Sequence, residues 1–193
     1  KTGKDRLKAL TKINLKDLMD APKNGEPRTG LSMGDHQAIT ALEWGIAREA
    51  QDELAASSHQ KMAAAYEEGF FDDLITPFLG LERDNNLRAD STVEKLAKLK
   101  PAFGKGDART MTAGNSTPLT DGASCVLLAS EEWAKANGHE VLAYLTFQET
   151  AAVDFVEKKE GLLMAPAYAV PRMLERAGIK LQDFDYYEIH EAF

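Results

Sequence analysis

The sequence is poor in cysteine and lacks a long apolar run, and each absence excludes a class of protein. Cys125 is the only cysteine among 193 residues, which excludes a disulfide within the chain and a metal site built from several thiolates. No run of apolar residues is long enough to predict a membrane-spanning helix. The first six residues contain no apolar segment, which predicts no secretory signal. The net charge of -8 argues against nucleic acid as a partner.

Motifs of several common catalytic and metal sites are also missing. The sequence contains no Gly-x-Ser-x-Gly elbow, no phosphate-binding P-loop and no Gly-x-Gly-x-x-Gly. It has no Cys-x-x-Cys or His-x-x-x-His pair, so we predict no metal. Cys125 lies within the apolar run Ser124-Cys125-Val126-Leu127-Leu128-Ala129, which predicts a small buried hydrophobic residue and not a reactive thiol.

The charge is distributed unevenly along the chain. Residues 1–28 contain eight Lys or Arg and four acids, a net charge of +4, so the rest of the chain carries -12. Apolar residues recur at helical spacing in this basic head. Two interpretations stay open, namely a helix packed on its own protein and, for residues 4–19, a surface that contacts an anionic membrane.

Helical periodicity is strongest over residues 36–68. The apolar or small residues recur at steps of three or four, and Gly45 is predicted to divide the segment into two helices that end at Gly69. A capping box at Ser91-Thr92-Val93-Glu94 predicts a short helix to Leu99. Further helices are predicted over 131–137, capped by Ser130 and ended by Gly138, and over 166–177, ended by Gly178.

Strand-like runs alternate with these helices, which predicts an α/β fold. They are found at the following positions: 74–76, 110–112, 124–129, 141–147 and 186–189. His190 follows the last of them, and ligands of open α/β sheets gather at the carboxyl ends of strands. Position alone therefore makes His190 a candidate site residue, although the residues by themselves do not reveal the chemistry.

Four segments together resemble the thiolase family of acyl-CoA acyltransferases. The first is Thr110-Met111-Thr112-Ala113-Gly114-Asn115-Ser116-Thr117 with Asp121-Gly122-Ala123. The second is Met33-Gly34 with Gln51-Asp52-Glu53 and Ser58-His59-Gln60. The third is Asp84-Asn85-Asn86-Leu87-Arg88 with Leu96-Ala97-Lys98-Leu99-Lys100-Pro101-Ala102-Phe103, and the fourth is His190-Glu191-Ala192-Phe193. The histidine of the last segment resembles the branch formed by β-subunits of fatty-acid oxidation complexes.

The resemblance covers about residues 30–193 and implies a thiolase-like layered αβαβα fold with a helical, loop-rich insertion. It implies three parts: a loop domain over 1–104, the end of the N-terminal thiolase half over 105–140 and the start of the C-terminal half over 141–193. The nucleophilic cysteine, the Gly-His-Pro histidine and the second cysteine of the family are not in this chain. The resemblance therefore implies an internal part of a thiolase that is inactive alone.

The activity implied for the whole protein is thiolytic cleavage of 3-ketoacyl-CoA by CoA in fatty-acid β-oxidation. Two alternatives stay open: a biosynthetic acetoacetyl-CoA thiolase, which His190 disfavours, and a non-catalytic thiolase-like lipid carrier or scaffold. No cofactor is implied, because CoA is a substrate. The implied partners are a second copy, as a dimer or tetramer, and a hydratase/dehydrogenase α-subunit. The implied compartment is the cytoplasm in a bacterium or the mitochondrion in a eukaryote.

The resemblance also implies roles for individual residues. His190 corresponds to the residue that holds a water in the oxyanion hole, where a donor stabilises developing charge. Ala192 and Phe193 correspond to positions beside the reacting thioester, and Arg88 suits a CoA phosphate. The wall of the pantetheine and CoA site is implied to include Met33, Phe103, Ala113, Ser116, Thr117 and Leu119.

Overall fold

Helices and irregular segments make up the described part of the chain. The computed structural model describes residues 2–4, 8, 11, 24–157 and 160–193. The helices are α1 (Met33–Glu43), α2 (Arg48–Glu67), α3 (Val93–Leu96), α4 (Glu131–Ala136) and α5 (Ala165–Ala177), with short 3-10 turns at Gly106–Ala108 and Leu181–Asp183. Most of the basic head, including most of residues 4–19, lies outside the described residues.

The predicted division of the first long helical segment is confirmed. Ser32 caps α1 through a capping box in which its hydroxyl accepts from the Asp35 N–H. Gly45 follows α1 with a φ of 65°, a left-handed conformation that glycine adopts without a Cβ clash. Ala47 begins α2 without a side-chain cap, and Gly69 follows it with a φ of 76°.

The ends of the later helices follow local signals as predicted, with one correction. Ser130 caps α4 by accepting from the Trp133 N–H at 3.2 Å, and Gly178 ends α5 in the left-handed conformation. The cap of α3 is Thr92 and not Ser91, because the Thr92 hydroxyl accepts from the Lys95 N–H. The helix consequently starts one residue later and is shorter than predicted.

The strand predictions for individual segments are wrong for the residues that the structure describes. Those residues form only isolated antiparallel bridges, Gly25 with Ser32, Phe78 with Leu81 and Pro101 with Thr112. A strand requires a neighbour for its backbone hydrogen bonds, and the runs at 124–129, 141–147 and 186–189 have none here. Because no segment that the structure describes packs on the run at 124–129, Cys125 is exposed, and the prediction that it is buried is wrong.

A small core holds α1 against the segments around residues 103–111. Ala38, Ala41, Ala108 and Met111 form this cluster, and the rings of Phe103 and Phe193 pack on it. None of the helices in the described ranges is long and apolar enough to cross a membrane.

Candidate functional site

A cleft of about 840 Å³ opens between α2, the segment from Asp84 to Leu99, the loop from Met111 to Thr120, and the residues Glu191 and Phe193. One face of α2, together with Ile46 just before the helix, lines the cleft. Helical spacing places the following side chains on that face: Ile46, Ala50, Leu54, Ser58 and Met62. Ile46 and Leu54 are 44% and 54% exposed. This apolar stripe therefore faces an open cleft and not a sealed core.

The loop after Met111 joins the end of the chain at this cleft. Thr117 donates its backbone N–H to the Ala192 carbonyl at 2.9 Å. The rings of Phe193 and Phe103 meet edge to face, with centroids 5.7 Å apart. These contacts bring together the family-like segments at 110–117, 96–103 and 190–193.

Gly34 allows Phe103 to approach α1 closely. A Cβ at Gly34 would lie 2.4 to 2.7 Å from atoms of the Phe103 ring. The Asp35 carboxylate accepts from the Gly104 N–H at 2.9 Å and from the Ser32 hydroxyl at 2.6 Å. The Ser32 hydroxyl first, and then the Gly104 N–H, hold the pKa of Asp35 below its usual range, so this acid is a fixed anchor for the chain beside Phe103.

Arg88 provides positive charge at the wall of the cleft. Its backbone N–H donates to His59 Nδ1 at 3.2 Å, and its guanidinium donates to the carbonyls of Asn85 at 2.7 Å and Leu87 at 3.0 Å. The side chain is exposed and lines the cleft. A guanidinium held in this way can meet a phosphate or carboxylate.

The structure brings most, but not all, of the sequence-predicted residues together. The following line the cleft: Arg88, Ala113, Ser116, Thr117 and Phe193. Phe103 and Ala192 contact lining residues, as described above. Ser116 Oγ is buried without a hydrogen-bond partner. Met33, Leu119 and His190 do not line the cleft, and Leu119 is 89% exposed. The roles of all these residues remain predictions.

Residues of α2 that line the cleft were not predicted as site residues. They include Gln51, Leu54, Ser58, His59 and Met62. The helical stripe itself was the sequence signal that could have predicted these residues. A stripe of apolar residues longer than the core that the helix packs on indicates a second surface, such as a ligand site. In the described ranges no three His, Cys, Asp or Glu side chains are grouped so that they could hold a metal ion.

Two family descriptions match nearly the whole chain. Residues 9–132 match "Thiolase, N-terminal domain", and residues 139–193 match "Thiolase, C-terminal domain". The finer division at 104 and 140 remains a prediction.

Curated relatives match over the full chain. The chain is 42% identical over 200 residues to the 3-ketoacyl-CoA thiolase of Yersinia enterocolitica, covering 100% of this chain and 45% of the relative. It is 47% identical over 195 residues to the 3-ketoacyl-CoA thiolase of Pseudoalteromonas translucida, covering 97% of this chain and 44% of the relative. The chain thus spans less than half the length of these relatives.

Solved structures give the fold that the isolated helices do not. Human mitochondrial 3-ketoacyl-CoA thiolase in complex with CoA has a TM-score of 0.77 at 31% identity, covering 88% of this chain and 42% of that one. The Bacillus anthracis acetyl-CoA acetyltransferase has a TM-score of 0.76 at 39% identity, covering 88% of this chain and 43% of that one. The dimeric peroxisomal thiolase of Saccharomyces cerevisiae has a TM-score of 0.72 at 35% identity, covering 94% of this chain and 46% of that one. The α/β fold class predicted from the sequence is confirmed, and the chain belongs to the thiolase family.

Proposed function

We propose that this chain is part of a 3-ketoacyl-CoA thiolase of fatty-acid β-oxidation, which cleaves 3-ketoacyl-CoA with CoA to give acetyl-CoA and a shortened acyl-CoA. The observation that carries the proposal is the 42% and 47% identity to 3-ketoacyl-CoA thiolases over essentially every residue of the chain. Because the chain spans less than half of those relatives, the proposal concerns the native-length protein, meaning the protein that contains this chain at its natural length.

The cleft is proposed to bind the CoA part of the substrate. Its volume lies within the roughly 300–1,000 Å³ typical of ligand pockets. The stripe from Ile46 to Met62 offers an apolar wall for the pantetheine arm, and Arg88 offers a cation for a phosphate. No cofactor is part of the proposal, because CoA itself is the co-substrate.

His190 is proposed to act on the thioester. Its ring can donate a hydrogen bond through a water to the oxygen on which negative charge develops. Ala192 and Phe193 would then lie beside the reacting thioester, with Phe193 held against Phe103. The cysteines and the second histidine of the family lie outside this chain, so we derive no step through them.

The proposal includes an assembly and a location. We propose a homodimer or tetramer, in keeping with the dimeric yeast relative. Association with a hydratase/dehydrogenase α-subunit, and contact of residues 4–19 with a membrane or that subunit, are further parts of it. The protein would be cytoplasmic in a bacterium and mitochondrial in a eukaryote.

A chain-length series tests the proposal. Thiolysis by the native-length protein is followed as loss of 3-ketoacyl-CoA for acyl chains from short to long, with and without free CoA. We expect CoA-dependent cleavage at several chain lengths. Activity confined to acetoacetyl-CoA would support the biosynthetic alternative, which the 39% identity to the Bacillus anthracis enzyme favours. Binding without cleavage at any length would support a carrier or scaffold.

A further inference from the structure

We propose that Asp52 and Asn115 form a positioning pair that fixes the loop over residues 112–117 and, through it, the segment that carries His190. The inference rests on the proposed function, because it assigns a role in substrate geometry to a contact between α2 and this loop. The two residues are 63 positions apart and meet in the interior. Neither touches the reacting atoms in this assignment, so both are positioning residues.

Asp52 is a buried acid whose two oxygens have different partners. The residue is 0% exposed, one carboxylate oxygen accepts from Arg48 Nε at 2.7 Å and the other accepts from Asn115 Nδ2 at 3.0 Å. Arg48 also donates through Nη2 to the carbonyls of Leu96 at 2.6 Å and Leu99 at 3.2 Å. Because an unpaired buried charge is strongly unfavourable, these partners restrain the carboxylate to one orientation.

Asn115 transmits that orientation to the loop backbone. Its Nδ2 donates to Asp52 and also to the Thr110 carbonyl at 3.2 Å, while its Oδ1 accepts from the Thr112 N–H at 2.7 Å. The Thr112 hydroxyl, in turn, accepts from the backbone N–H groups of Gly114 and Asn115 at 3.2 Å. The amide therefore cannot rotate without breaking hydrogen bonds inside the turn.

The loop passes this geometry on to the cleft. Asn115 directly precedes Ser116 and Thr117, which line the cleft, and the Thr117 N–H donates to the Ala192 carbonyl at 2.9 Å. Ala192 is two residues from His190. A displacement of about 1 Å in a group that positions a substrate can lower the rate about 10²-fold.

A purely structural role for the Asp52–Asn115 hydrogen bond is the competing explanation, and exchanging the donor and the acceptor separates the two explanations. Asp52→Asn places an NH₂ group against the NH₂ group of Asn115, whereas Asn115→Asp places two carboxylates together. The double variant Asp52→Asn/Asn115→Asp restores one donor facing one acceptor. Glu149→Gln is the matched control. Glu149 is a partly buried acid outside this network, and its carboxylate pairs with the guanidinium of Arg176 on α5 at 2.9 Å.

The experiment measures kcat and KM for CoA per folded molecule of native-length protein, together with hydrogen exchange at the Thr117 amide. For Asp52→Asn we expect kcat/KM to fall about 10²-fold, with a raised KM and faster Thr117 exchange. For Asn115→Asp we expect a larger fall in kcat/KM. The double variant should have a kcat/KM at least about 10-fold above that of Asn115→Asp, because the effects of two residues in contact are coupled. Glu149→Gln should stay within about 2-fold, as for a substitution away from the site.

One result would overturn the inference, and another separates it from the proposed function. Wild-type kinetics per folded molecule with unchanged Thr117 exchange in Asp52→Asn would leave only a structural pair, even with thiolysis established. If the wild-type protein lacks thiolysis but Asp52→Asn still speeds exchange at the Thr117 amide, the proposed function is removed and the control of loop geometry is retained. If Asp52→Asn does not fold, Arg48→Lys keeps a cation beside Asp52 but loses the fork to Leu96, and the same readouts apply with an expected effect of about 10-fold.

Discussion

His190 presents an exposed ring two residues before Ala192, whose carbonyl is held by Thr117. Replacing it with alanine in the native-length protein should lower kcat about 10²-fold, the scale of losing one oxyanion-hole donor. Steady-state thiolysis measures the effect. His139→Ala is the matched control, because His139 is an exposed histidine stacked on Trp133. Equal rates for the His190 variant and wild type would remove His190 from the site.

Gly34 tests the packing behind the cleft. Gly34→Ala should destabilise the native-length protein by about 1–3 kcal/mol, because the new Cβ would overlap the Phe103 ring, 2.4 Å away at its closest atom. Adding Phe103→Leu should recover part of the loss, and urea denaturation measures both. Gly122→Ala is the control, since nothing lies within 4 Å of its Cβ position. A Gly34→Ala protein as stable as Gly122→Ala would contradict the close packing of Phe103.

At the scale of elements, α2 packs against α3 and also forms a wall of the cleft. Leu54→Ala should weaken CoA binding about five-fold, about 1 kcal/mol of lost apolar contact. Because Leu54 is 54% exposed, the loss of stability should be smaller than for a core leucine. Calorimetric titration with CoA measures the affinity, and the exposed neighbour Glu53, changed to alanine, is the control. Equal affinities for the two variants would place CoA elsewhere.

Helix ends could be predicted from the sequence because their causes are local. The Ser130 cap acts three residues away, at Trp133, and Gly45, Gly69 and Gly178 act through their own φ angles. Thr92 displaced Ser91 as the cap of α3 because adjacent hydroxyls carry the same signal and only the backbone conformation decides between them.

Strands and the interior of the site could not be predicted to the same extent, because their causes are not local. A strand depends on a partner that sequence periodicity does not identify, so the run at 124–129 gave the right fold class and the wrong local structure. The Asp52–Asn115 contact joins positions 63 apart, and neither residue stands out by itself. The family-like segments indicated the loops of the site and included residues 51–53 and 58–60 of α2, while the position of α2 as a wall of the cleft was identified only in the structure.

The whole molecule exposes far more surface than a folded monomer of its mass. Its accessible area is 16141 Å², against about 9,000 Å² expected from the scaling of area with mass for 21.2 kDa. Large apolar side chains at 126–128, 142–147 and 186–189 account for part of the excess, with Leu142 88% and Tyr186 91% exposed. Exposed apolar areas of this extent mark surfaces that another part of a protein covers.

We therefore expect these three runs to form strands in the native-length protein and to remain open in the 193-residue chain alone. Hydrogen exchange compares the native-length protein with the 193-residue chain. The amides of 126–128, 142–147 and 186–189 should be protected in the longer protein and exchange freely in the shorter one, because strand amides are protected only when paired. The amides of α2 serve as the internal control, since their hydrogen bonds lie within the helix and should be protected in both. Free exchange of the three runs in the native-length protein would contradict the layered sheet at these positions and leave their apolar character unexplained.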